Sequence, residues 1–108
     1  KFKDFWIKRS DHVSAGYPLE RWNTYENDIL PSIKDPCEYL WDRMYIWFDG
    51  KVNPCDADYK SYLSYGNAKE FSLKELWNNK FVSNIRKEHM NNNRNKINPC
   101  DRCGASFV

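Results

Sequence analysis

The sequence predicts an α+β fold: a small β-hairpin, with a candidate third short strand, packed with two C-terminal helices around four cysteines. Three observations carry this. Cys37 and Cys55 flank a run of alternating, β-favouring residues broken by Asp49-Gly50. Ser72-Leu73-Lys74-Glu75 opens a stretch with apolar residues at helical spacing. Cys100 and Cys103 follow as a Cys-x-x-Cys pair.

A chain of 108 residues holds one small domain and a fragment of another. Domains this small bury only roughly 60–70% of their unfolded surface, so a metal staple matters energetically. Basic and acidic residues nearly balance, 17 against 15. That argues against nucleic-acid binding, which calls for a concentrated basic stripe. No apolar run approaches the ~18–20 residues of a membrane span, and no secretory signal is visible. These features predict a cytoplasmic setting. The first residue is Lys1, which reads as a processed product or an excised piece. Five Trp, seven Tyr and six Phe are expected to pack the core rather than stack on ligands.

Residues 1–30 read as the trailing helix, strand and linker of an upstream domain, and 31–108 as the cysteine-bearing domain. Phe2, Phe5 and Trp6 have helical spacing, so Lys1 to Arg9 is expected to be helical until Ser10-Asp11. His12–Ala15 is a candidate short strand, closed by Gly16-Tyr17-Pro18. Trp22 and Tyr25 are lone aromatics in a polar stretch, and Pro31 and Pro36 bracket the approach to Cys37.

The run from Trp41 to Phe48 is rich in β-favouring residues on both alternating sets, which predicts a strand buried on both faces. Asp49-Gly50 predicts a two-residue type I′ turn. Lys51-Val52-Asn53 returns, and Pro54 ends the ladder because it lacks an N–H. Cys37 and Cys55 then share the open end of the hairpin. Asp56 and Asp58 read as solvated loop charges. Tyr62–Tyr65 is the candidate third strand, closed by Gly66-Asn67. Ser72-x-x-Glu75 is a capping box. It predicts a helix over 72–78, and Phe81, Val82, Ile85 and His89 continue at helical spacing over 79–91. The run Asn91-Asn92-Asn93 stops it. His12 and His89 read as packing or surface residues. No Ser/His/Asp arrangement, phosphate loop or paired carboxylates stand out.

Four cysteines in one small chain admit a metal centre or two disulfides. The Cys-x-x-Cys pair favours metal, since neighbouring thiolates converge from a tight turn. Iron–sulfur and zinc both accept four thiolates, which leaves a structural zinc-binding interaction module as the alternative function.

Cys37, twelve residues, Gly50, four residues and Cys55 resemble the Cys–Gly–x4–Cys signature of SPASM domains, which follow the barrel of many radical SAM enzymes. Leu40-Trp41, Asp49-Gly50-Lys51-Val52-x-Pro54-Cys55, Gly66, Ser72-Leu73-x-Glu75-Leu76-Trp77-Asn78, Arg86 with His89, and Cys100-x-x-Cys103 are similar to the same family. Phe5-Trp6 and Asp11-His12-Val13 look like the last helix and strand of the preceding barrel. The full family pattern has seven cysteines and two auxiliary [4Fe-4S] clusters. Four cysteines resemble the shortened twitch relatives, in which all four hold one cluster, while the family's next cysteine would fall just beyond Val108.

The resemblance implies that Cys37, Cys55, Cys100 and Cys103 bind an auxiliary [4Fe-4S] cluster, with zinc a competitor in the isolated domain. It implies electron transfer and substrate positioning in support of an upstream radical SAM barrel, whose substrate is a peptide or small molecule. Arg43, Lys51 and Arg102 are candidates for balancing the cluster's charge. The motif Cys-x3-Cys-x-x-Cys is absent, so S-adenosylmethionine is expected to bind only in that barrel, and the fragment has no catalytic motif of its own.

Overall fold

The computed structural model describes residues 1–17 and 20–104. Helix α1 (Phe2–Trp6) leads through a 3-10 segment, Glu20–Glu26, to a single helical turn, α2 (Tyr39–Asp42). Strands β1 (Tyr45–Ile46) and β2 (Val52–Asn53) come next, then helices α3 (Leu73–Trp77) and α4 (Lys80–Met90). Two further 3-10 turns, Arg94–Lys96 and Cys100–Arg102, complete the order. The class is α+β, as the sequence predicts. Among the described residues no helix is long and apolar enough to cross a membrane.

The hairpin is shorter than expected and its turn is one residue longer. Tyr45 pairs with Asn53 and Ile46 with Val52, and Trp47 N–H donates to Lys51 at 2.9 Å. That register leaves Phe48-Asp49-Gly50 as a three-residue loop in place of the two-residue turn. Gly50 closes it at φ +92°. A Cβ there would lie 2.3 Å from Asn67 Oδ1, an amide that also bonds the Asp49 carbonyl at 3.3 Å and the Lys69 N–H at 2.9 Å. Gly50→Ala should therefore cost about 2–3 kcal/mol, from the left-handed backbone and the disturbed Asn67 bonds together. Urea unfolding measures it, and a near-neutral value would sink the argument.

Two of the predicted strand segments take other forms. Residues 39–42 wind into α2 because Leu40 drops into the core, only 4% exposed, and Arg86 Nε caps its carbonyl at 2.8 Å. The candidate third strand over 62–65 fails because the Asp58 carboxylate claims the amides of Tyr62 and Leu63, at 3.0 and 2.8 Å. Pairing starts later: Tyr65 N–H and the Gly66 carbonyl bond Val52, and Lys51 bridges Asn67. His12–Ala15 forms no strand, since no described segment pairs with it. Pro18 and the Trp22 side chain lie outside the described part.

The helices follow their local signals closely. Ser72 Oγ accepts the Glu75 N–H at 3.2 Å and Glu75 Oε2 accepts the Ser72 N–H at 2.8 Å, closing the capping box. Asn79 caps α4 through the Val82 N–H at 3.0 Å, and Asn92 ends the chain's helical path at φ +59°. Arg86 also donates to the Trp77 carbonyl at 2.8 Å, so one guanidinium caps the C-terminal ends of both α2 and α3.

The buried stripe of α4 runs Val82, Ile85, His89. Val82 packs with Val52, Tyr65 and Leu76, and Ile85 with Leu40 and Leu63. The expected aromatic core is not what forms. The described core is aliphatic apart from Tyr65, while Phe48, Tyr62, Phe71 and Phe81 stay exposed, as do Phe2, Phe5 and Trp6 on α1. Leu73 is also exposed. Rings of this size cannot all be enclosed where so little volume lies far from the surface.

Candidate metal centre

Cys37 sits in the lead-in to α2, where its carbonyl accepts the Leu40 N–H at 3.2 Å. Cys55 follows Pro54 at the exit of β2. Cys100 opens the last 3-10 turn and Cys103 leaves it. All four are free thiols, and all four line one nearly enclosed cavity, walled otherwise by Tyr39, Ala57, Pro99 and Arg94. The hairpin exit and the C-terminal turn thus bring the two cysteine pairs face to face. No three described His, Cys, Asp or Glu side chains stand within reach of a single ion. A soft, all-thiolate donor set suits iron–sulfur and zinc chemistry.

Burial pushes the Cys55 thiol up to about 12, against the pull of the Asp58 and Ala57 amides. It also raises Cys37 and, more strongly, Cys100, while the Arg94 charge pulls both the other way. Without metal these sulfurs are protonated at neutral pH, so loading must release protons. The sign for the metal-free fold follows. A raised thiol pKa gives stability that is present below the unfolded value of about 8.5 and is lost as pH rises toward the folded value. The metal-free chain should therefore lose thermal stability between pH 8 and 11, whereas metal-bound thiolates have no proton left to lose. Melting curves of both forms across this range check it, and equal alkaline losses would count against thiolate ligation.

Side chains around the cavity were distributed differently from the sequence expectation. Lys51 pairs with Asp49 at 3.5 Å at the hairpin tip. Arg43 pairs with Asp42 at 2.8 Å and lies 3.7 Å over the Tyr39 ring, and Arg102 pairs with Asp101 at 3.4 Å. None of these three lines the cavity. Arg94, unremarked in the polar 91–98 run, does, and it is 1% exposed. His89 is fully buried and its Nδ1 accepts the Cys37 N–H at 3.2 Å. Burial, reinforced by Arg94, lowers it to about 4, so it is neutral and carries its proton on Nε2. Its place seven residues after Val82 on the same stripe was a legible sign of burial.

Asp56 and Asp58 are buried, 8% and 0% exposed, where solvated charges were expected. Asp58 accepts from Tyr25 Oη as well as from the Tyr62 and Leu63 amides. Burial pushes its carboxyl up while those donors pull it down. Tyr25 is no lone aromatic: it meets Tyr59 and Tyr62 edge-on at 5.0 and 5.2 Å. Further bonds hold the preceding segment against the cysteine turn. Leu30 N–H donates to Asp101 at 2.7 Å, Asn27 Nδ2 to Arg102 at 3.4 Å and Asn95 Nδ2 to Pro31 at 2.9 Å.

Four free thiols around one nearly enclosed cavity in an α+β unit make a candidate thiolate metal centre. The family model for SPASM, an iron–sulfur cluster-binding domain, matches residues 37–104, most of the chain and all four cysteines. The chain belongs to the SPASM family and is an iron–sulfur cluster-binding domain. Comparison with curated proteins and with solved structures finds no significant match.

Proposed function

We propose that Cys37, Cys55, Cys100 and Cys103 together ligate one [4Fe-4S] cluster, and that the chain is the auxiliary-cluster domain of a radical SAM enzyme. The observation that carries this is the convergence of all four thiols on one cavity inside the matched segment. The iron–sulfur family match favours a cluster over zinc, and a cluster takes each thiolate on a different iron.

Such a cluster supplies one-electron transfer when bound. The protein's own part is to seal it from water and tune it through burial and nearby charge. In this reading residues 1–30 trail from the upstream barrel, which binds S-adenosylmethionine and a peptide or small-molecule substrate that this domain helps to position. Free thiols suit a reducing, cytoplasmic setting.

Anaerobic reconstitution tests the cluster assignment. About four irons and four sulfides per chain, with brown colour, are expected for one [4Fe-4S] centre. A colourless protein with one zinc and intact structure would replace it with the structural zinc module. A Cys-x3-Cys-x-x-Cys motif upstream of Lys1 in the full-length sequence is the expected mark of the parent enzyme.

A further inference from the structure

We infer that Arg94 is the positioning residue of the metal centre: its buried guanidinium ties the two cysteine-bearing segments together and places a positive charge that favours the reduced cluster. The inference rests on the four-cysteine [4Fe-4S] reading and goes beyond it by assigning the counter-charge.

The geometry is that of a staple. Nη1 donates to the Asp35 carbonyl at 3.3 Å, two residues before Cys37. Nη2 donates to the Cys103 carbonyl at 3.0 Å. A guanidinium presents its donors in a rigid fork, so one side chain can hold both segments of the cavity wall at once, which a lysine's single ammonium does less well. The same residue forms part of that wall and is almost fully buried. Its charge therefore stands at the wall of the cavity that the four thiols line.

The electrostatic consequence is a potential. Reduction adds one electron to the cluster, so a cation at fixed distance stabilises the reduced form more than the oxidised form. Burial keeps the interaction from being screened. Removing the charge should shift the reduction equilibrium about tenfold toward the oxidised cluster, which is about 59 mV for a one-electron couple.

The test uses the anaerobically reconstituted chain, dithionite as electron donor, and redox titration followed by electron paramagnetic resonance. Wild type, Arg94→Lys, Arg94→Gln and the hairpin-tip control Lys51→Gln are compared for iron, sulfide and midpoint potential. Arg94→Gln should titrate at lower potential than wild type, with Arg94→Lys and Lys51→Gln close to wild type. Cluster retained in Arg94→Lys but lost in Arg94→Gln would support the same role. A loaded Arg94→Gln with the wild-type potential would overturn it. Loss of the cluster in both Arg94 variants while Lys51→Gln loads would support the staple, because lysine keeps the charge but not the forked bonds to Asp35 and Cys103. Wild type that takes up no iron and sulfide would instead sink the cluster reading on which the inference depends.

Discussion

Cys55→Ala is expected to abolish the metal centre and most of the fold's stability together. Iron should fall from about four per chain to a small residue, and the cooperative melt should broaden or vanish. Cys55 leaves β2 directly into the cavity wall, beside Ala57 and Cys103 in the small apolar cluster that surrounds it. The other core groups are small too: Val52, Tyr65, Leu76 and Val82 in one, Leu40, Leu63 and Ile85 in the other. Against this, structural metal sites contribute roughly 10–16 kcal/mol of apparent binding energy in zinc-finger peptides, comparable to the whole stability of a domain, about 5–15 kcal/mol. The cavity wall is therefore the part of the molecule with the most to lose. Metal analysis and circular dichroism after identical reconstitution decide the matter. A Cys55→Ala chain that keeps the full wild-type iron would show that the four-cysteine assignment is wrong.

Asp58→Ala should be the most damaging change outside the cysteines, at about 3–5 kcal/mol, because several buried donors lose their acceptor at once. The Tyr62 and Leu63 amides are held by its two oxygens, and Leu63 is only 6% exposed. Tyr25 loses its anchor too, which loosens the 20–30 segment from the cysteine loop. Tyr25→Phe removes a single donor and should cost about 1 kcal/mol. Urea denaturation of both variants separates these values. If the two substitutions cost the same, Asp58 is no hub, and the failure of residues 62–65 to form a strand needs another cause.

The helices and their ends were legible because their signals are local. The capping box of α3 lies within four consecutive residues, and the Asn79 cap bonds an amide three residues on. The cysteine spacing was equally direct, and the family match covers that segment. The hairpin was half legible. Its turn residues were readable, but its register depends on cross-strand pairing, and a three-residue loop reads much like a two-residue one from Asp49-Gly50 alone. The strands at 12–15, 41–44 and 62–65 were misread for one shared reason. β-Propensity describes a residue's fit to a half-buried pleated surface, whereas a strand also needs a partner whose amides are unclaimed.

By itself, then, the sequence determined the α+β class, the two capped helices, the family and the four thiols. Only the tertiary structure decided which charges belong to the site. Arg94 and Asp58 sit in polar runs that give no hint of burial, yet each is at most 1% exposed. Arg43, Lys51 and Arg102 also lie within a few residues of a cysteine, yet they form ion pairs and do not line the cavity. Chain proximity does not decide electrostatic proximity. Arg94 reaches Asp35 across 59 residues of chain, and that contact exists only once α4 has packed against the hairpin and carried the loop after it to the cavity wall.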